Sequence, residues 1–322
     1  TVAPAQTLSI AYDANQTPQA NGLLLAAEIA GLAAGDRLQV GDGLWSMPDF
    51  FSIDLVGNAA APIRIEAAPG TRPTITRADE NDAVIHLGAV SSARYLALIG
   101  LEIVDGGRGI DLWNAQEIWI NLNLLSGTGN TPIAGDNFST SGLYITRNQI
   151  DHAGGDGHGI VLGTSDTIFI TMNSVIAQNQ ISDCRGVDAT GIWVRQGSFG
   201  NWIVENFVHD TDWPCVLVAG AGTNAWNTIE RNTCYNSGDN VMEVQSQAFV
   251  RNNLMINGIQ GFSSQDDFDE VMEIEVVHNT IINNRRGANL VNWNNEPGLV
   301  FANNAVYSGI GDSVRFESGW SG

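Results

Sequence analysis

The chain has 322 residues, 43% hydrophobic and 15% charged, with 35 acidic residues against 14 basic ones, all of them arginine, and a formal charge of −21. That is enough apolar matter for a long buried core, while the charge excludes nucleic acid as a partner, since neutralising phosphates needs clustered Lys and Arg. No run of about 18 apolar residues is present to insert into a membrane, and a first residue other than Met leads us to expect a processed protein in a secreted, periplasmic or cell-surface location.

In chain order, Leu23 to Leu32 is rich in Ala and Leu, lacks a β-branched run and is followed by Gly35-Asp36, which predicts a short amphipathic helix over about residues 20–35. Such a helix would cover the open end of a stack of strands, whose edges are otherwise unpaired.

Residues 36–316 carry a repeat. Asparagines at 123, 148, 179, 206, 232, 253, 279 and 304 lie 21 to 31 residues apart. Three positions before them stand Ile120, Ile145, Ile176, Ile203, Ile229, Val250, Val276 and Phe301. Two positions after them stand Leu125, Ile150, Ile181, Val208, Cys234, Met255, Ile281 and Val306. A fixed period of this size means stacked coils, in which each side chain sits above its counterpart at one strand spacing of about 4.8 Å. An inward Asn at each bend can then bond to the Asn above and below. Upstream, Leu98 and Leu101 continue the register of Ile145 and Asn148, and the ladder residue there has become apolar. The reading is an all-β, single-stranded, right-handed parallel β-helix of about 10–11 coils, forming one domain over residues 1–322 and expected to be a monomer. No cap signal appears in the polar stretch that follows residue 316. Cys184, Cys215 and Cys234 fall at different points of the repeat, which predicts small buried apolar residues rather than a disulfide.

A second short strand follows each Asn strand, as in Gly159–Leu162, Gly191–Val194 and Asn240–Val244. Its alternate positions point outward and stack into rows: Asp111 and Trp113, Val161 and Gly163, Trp193 and Arg195, Val216 and Val218, Glu243 and Gln245, Ser263 and Gln265. The turns ahead of these strands add Asp156, His158, Asp188, His209, Asp212 and Trp213. Acids, bases and aromatic faces so gathered suit a polysaccharide partner, with Asp111, Trp113, Asp156, Trp193, Asp212, Trp213 and Gln245 as substrate-binding candidates. The catalytic candidates are His158, Asp188, Arg195, His209 and Glu243. Trp193, Trp202, Trp213 and Trp226 fall in two adjacent coils and suggest a stacking platform. Further on, Asp266, Asp267, Asp269 and Glu270 open a run of six carboxylates in ten residues, an oxygen-only set of the kind Ca²⁺ takes, and calcium is the one cofactor expected.

With the repeat, the helix and Leu38-Gln39-Val40-Gly41-Asp42-Gly43-Leu44-Trp45 in hand, the chain resembles the pectate-lyase-like β-helix proteins, and among them the chondroitinase B and alginate lyase family. Ala61-Pro62-Ile63-Arg64-Ile65-Glu66-Ala67 and the segment Arg195–Asn201 ahead of Glu205-Asn206 extend the resemblance over most of the chain. It implies β-elimination on uronate polysaccharides with a lysine base, an arginine partner and calcium. Arg195 stands where the family has its lysine, Asp188 and Thr190 stand where it has two calcium-binding glutamates, and Pro214–Gly220 lacks its Arg-His pair. An arginine with a pKa above about 12 is a poor base, so the family's mechanism does not transfer intact. Three readings stay open: a divergent polysaccharide lyase in which Arg195 binds a carboxylate and His158 or His209 is the base; a glycoside hydrolase using Asp188 with Glu243 or Asp212, carboxylates that must then lie about 5 to 9.5 Å apart; and a non-catalytic carbohydrate-binding or surface β-helix.

Overall fold

The computed structural model describes residues 5–77, 79–155, 157–222, 225–267, 270–283, 285–293, 296 and 298–317. Every ladder that joins two strands is parallel, and successive turns of the chain lay down three sheets that run the length of a solenoid. The first sheet contains Ile63–Ala67, Ala115–Asn121 and Trp202–Val204. The second holds the strands that follow the Asn bends, among them Gln149–Ala153 and Phe207–Thr211. The third holds Ala83–Leu87, Arg108–Leu112, Ile160–Leu162, Ile192–Val194 and Met242–Val244. Among the described residues twelve strands follow one another along the first sheet, against the ten or eleven coils expected. The difference arises at the start, where Thr7–Ile10 precedes the helix and pairs with Arg37–Val40.

The helix spans Pro18–Ala30, slightly ahead of its predicted bounds, because Thr17 caps it by accepting from the Ala20 amide at 3.2 Å and Pro18 suits the first turn. Leu25 and Ile29 are buried in the end of the core, Leu23 and Leu24 face outward, and a Cβ at Gly22 would meet the Ser46 carbonyl at 1.8 Å, so only glycine lets the helix seat this closely.

The asparagine column is continuous. Each side-chain amide from Asn123 to Asn279 donates to the Oδ1 of the next asparagine at 3.0–3.1 Å. Each also donates to a carbonyl of the preceding coil, as Asn206 does to Ile176 at 2.8 Å. The same Oδ1 takes the backbone N–H of the asparagine below, as Asn206 Oδ1 takes that of Asn179 at 3.0 Å. Both amide hydrogens and both oxygen lone pairs are therefore used, which is what allows a column of amides in a core. The residue before each asparagine, from Leu122 through Arg147 and Glu205 to Asn303, has φ between 55° and 60°. This left-handed step costs a non-glycine residue about 1–2 kcal/mol and turns the asparagine inward, where its bonds offset the cost. The apolar columns follow the expected register, Ile120 on Ile145 on Ile176 and Leu125 on Ile150 on Ile181. A shorter amide column, Asn201 on Asn227 at 3.1 Å, holds the entry to the first sheet. The three cysteines are free and buried.

Replacing Asn206 by Ala strips partners from Asn179, Asn232 and the Ile176 carbonyl together. We expect roughly 3–5 kcal/mol of lost stability in urea unfolding, against about 1 kcal/mol for Asn304→Ala at the end of the column. Equal losses at the two positions would contradict a cooperative ladder.

Candidate active site on the outer face of the third sheet

On the third sheet Ile110, Ile160, Ile192, Val216 and Met242 point into the core, and the residue after each points out. The outward column therefore runs His86, Asp111, Ala134, Val161, Trp193, Leu217, Glu243, Ser263 and Asn289, one coil apart. This corrects the expected row at one coil, where Leu217 faces out while Val216 and Val218 lie in the core. In the middle of the column Ala134, Val161, Trp193 and Leu217 form a small apolar cluster of their own.

At the N-terminal end of this wall the side chains form a chain of ion pairs. Arg77 Nη2 reaches Asp82 Oδ2 at 3.0 Å, and Asp82 Oδ1 lies 2.8 Å from His86 Nε2. His86 Nδ1 lies 3.4 Å from Asp111 Oδ2, within ion-pair range but not aligned for a hydrogen bond. One Arg108 nitrogen then donates to Asp111 at 2.9 Å and to Asp136 at 2.7 Å. Arg195 closes the chain, 3.8 Å from Asp136 and with its guanidinium 4.2 Å from the centre of the Trp193 ring. Asp111 also accepts from Trp113 Nε1 at 2.7 Å and from Asn137 at 3.0 Å.

Burial would press the His86 ring toward neutrality, but the carboxylates of Asp111 and Asp82 outweigh it and raise its pKa. Burial likewise favours a protonated Asp111, and its close contact with His86 and its bonds to Arg108 and Trp113 prevail and lower its pKa. Exposure separates the members by task. The side chains of His86 and Asp111 are 4% and 6% exposed, whereas Asp82 keeps 30% and Arg108 27%. A cleft of about 510 Å³ opens over them, lined also by Phe50, Trp113 and Asn137. Aromatic rings continue along its edge, Trp113 to Phe138 at 5.5 Å and Phe138 to Phe169 at 5.3 Å.

The structure brings together Asp111, Trp113, Trp193 and Arg195 among the residues singled out in the sequence, and adds Arg77, Asp82, His86, Arg108, Asp136 and Asn137. His86 was legible in principle, since it occupies the outward position of Asp111 one coil earlier.

The other candidates stand elsewhere. His158 packs edge-on against Trp193, and its Nδ1 accepts from the Thr190 amide. Burial and then the charges of Arg195 and Arg108 lower its pKa to about 3, which favours the neutral ring. His209 belongs to the second sheet, stacked on Tyr235 at 4.7 Å and bonded to Asp210, away from the Arg195 wall. Asp212 pairs with Arg185 at 2.9 Å in the turn that precedes the third sheet, and Trp213 offers its carbonyl to Thr211 and Ser237 there. Asp188 is half-buried, and its carbonyl accepts the Thr190 hydroxyl. The tryptophans do not form one platform, because Trp202 lies on the first sheet, half exposed, and Trp226 packs on Phe249. Asp156 lies outside the described residues.

Glu243 stands five coils beyond Asp111 and almost fully buried, with Asn240 donating to one oxygen at 2.9 Å and Gln245 to the other at 3.0 Å. Burial raises its pKa to about 7 despite those two amides. Of the calcium candidates, Asp266 accepts from the Val271 amide and from Asn292, Asp267 from Gln265, and Glu270 is exposed, while Asp269 lies outside the described residues. Among the described residues no three acidic, His or Cys side chains converge as a metal site, and the buried Thr190 hydroxyl is committed to the Asp188 carbonyl. Nor, among them, is any helix long and apolar enough to cross a membrane.

The raised pKa of Glu243 makes stability depend on pH. Its contribution is complete below the unfolded value near 4.5 and is lost as pH rises through about 7, a change on the order of 3 kcal/mol. In Glu243→Gln that part of the slope should vanish from urea unfolding measured between pH 4 and 8, and an unchanged slope would refute the assignment.

The family model described as "Right handed beta helix region" matches residues 137–306. No curated protein matches the chain. Among solved structures, the alginate lyase from Paenibacillus sp. str. FPU-7 is similar at 15% identity and a TM-score of 0.58, with 97% of each chain covered. The A-module of the Azotobacter vinelandii mannuronan C-5 epimerase follows at 14% and 0.53, with 94% of each covered. The polygalacturonase from Erwinia carotovora ssp. carotovora follows at 11% and 0.52, with 98% of this chain and 95% of that one. At such identities these likenesses speak to the path of the backbone, and with the family model covering more than half of its length the chain belongs to the right-handed β-helix family.

Proposed function

We propose that the chain is a carbohydrate-active enzyme that takes a uronate-containing polysaccharide into the cleft on the third sheet and cleaves it by β-elimination. The observation that carries this is the meeting, in one cleft, of an accessible carboxylate, an accessible guanidinium and aromatic faces. Phe50 and Trp113 offer flat surfaces to sugar rings. Arg108 meets the uronate carboxylate and draws off its charge, which acidifies the C5 proton. Asp82 takes that proton, held in place by His86 and Arg77, the C4–O bond breaks, and the departing oxygen is protonated from solvent. In elimination His86 and Asp111, largely buried in the floor of the cleft, serve as positioning residues. Similar folds whose names denote an alginate lyase, a mannuronan epimerase and a polygalacturonase support a polyuronate partner. Such polymers lie outside the plasma membrane, in keeping with a secreted, periplasmic or cell-surface site of action.

Hydrolysis is the second reading, favoured by Asp111 and Asp136 sharing one Arg108 nitrogen.

Incubation with a panel of polyuronates and neutral glycans separates these readings. Elimination yields an unsaturated product that absorbs in the near ultraviolet, hydrolysis yields reducing ends alone, and a binding protein yields neither. Asp82→Asn should lower kcat by roughly 10²–10⁴-fold at a temperature where circular dichroism shows the variant still folded. Undiminished turnover in that variant would remove Asp82 from the chemistry.

A further inference from the structure

A second cleft, of about 600 Å³, lies against the outer face of the second sheet and is lined by Gln19, Ser46, Thr76, Arg77, Glu80 and Asp105. Glu80 and Gly129 line both clefts, and Arg77, on the wall of this one, pairs with Asp82 on the wall of the other. What separates them is the rim where the chain passes from the second sheet to the third. In three successive coils that rim is built of glycine: Gly106 and Gly107, Gly127 and Gly129, Gly154 and Gly155. The glycines raise no side chain between the two clefts, and Glu80 is the one side-chain-bearing residue among the described residues that borders both. The Nε of Arg77, buried at the junction, has no hydrogen-bond partner.

We infer that the two clefts are one trough that crosses the coils over the glycine rim, so that a saccharide strand wraps around the solenoid there and places an uncharged sugar unit against the second sheet while a uronate lies over Arg108. The inference rests on the proposed polysaccharide function and adds to it the direction of the strand and the charge of the neighbouring unit. The second cleft presents two exposed carboxylates, Glu80 and Asp105, beside the hydroxyls of Ser46 and Thr76, and Thr76 already donates to Asp105 at 3.0 Å. Such a lining repels a second uronate and suits the hydroxyls of a neutral ring. The first cleft, with Arg108 accessible, has the opposite preference.

Gly129 provides a clean test. Its φ is not in the left-handed region, and a Cβ built there would meet its nearest atoms, the carbonyl oxygens of Glu80 and Gly106, at 3.5 Å, an ordinary contact. Gly129→Phe should therefore fold with an unchanged unfolding midpoint and stand a ring on the rim, and Gly129→Ala is the control should the larger side chain disturb folding. Binding is measured by titration calorimetry with two hexasaccharides, one with neutral units at one end and one made wholly of uronate, and with a uronate disaccharide. We expect the wild type to bind the mixed hexamer at least tenfold more tightly than the all-uronate one. Gly129→Phe should lose at least tenfold more affinity for the mixed hexamer than for the disaccharide, and Gly129→Ala should lose less than Gly129→Phe on the hexamer. Undiminished hexamer binding by Gly129→Phe, or a wild-type preference for the all-uronate hexamer, would overturn the trough. The expected binding pattern without bond cleavage would uphold it and overturn the enzymatic reading alone, and a wild type that binds none of the three sugars would sink both.

Discussion

Everything on the outer surface depends on the asparagine column inside. A polar amide in a core is a liability unless all of its donors and acceptors are met, and here each is met only if the next coil lies directly beneath in register. The left-handed residue before each asparagine stores local strain that these bonds offset, so the bend, the amide and the coil spacing are fixed together. Residues 21 to 31 positions apart in the chain are thereby stacked one strand spacing apart on the outside. A functional wall can then be assembled from coils distant in sequence without any loop having to hold it.

On that wall the charges are arranged to tolerate burial. Three arginines and one histidine alternate with three aspartates from Arg77 to Arg195, so that nearly every charge has opposite charges beside it. In a partly desolvated setting a charge without a partner would cost several kcal/mol, and removing any one member exposes its neighbours to that cost. The arrangement leaves Asp82 and Arg108 as the members most open to a ligand, with the largely buried His86 and Asp111 fixing where they point. Glu243, farther along the same column, has only neutral amides for partners, and its burial is resolved instead by holding a proton.

The inward columns were legible because every one of eight coils repeats an apolar residue at fixed offsets from an asparagine. Outward facing was legible only where a strand alternates. The run Val216-Leu217-Val218 is apolar throughout and carries no alternation, so its facing could not be read, and it is the backbone pairing with Ile192–Val194 that turns Leu217 outward. The charged end of the wall was missed for a related reason. Upstream of Asn123 the ladder position becomes Leu101, and without the asparagine there was nothing to carry the register back to His86, although Leu101 keeps its place by donating its amide to Asn123 at 2.9 Å.

By itself the sequence determined how far the chain climbs with each turn and which residues line the core, because both follow from side chains that must match their copies above and below. Only the tertiary structure decided what meets around the circumference. His158, His209 and Trp202 are as close to Arg195 in the sequence as the site demands, yet one is sealed against Trp193 and the other two lie on different sheets. Asp82 and Asp136, more than fifty residues apart, belong instead to one ionic chain. The period of a solenoid encodes height, whereas the bearing of each side chain depends on where the chain bends, and those bends are set by contacts between coils that no single repeat contains.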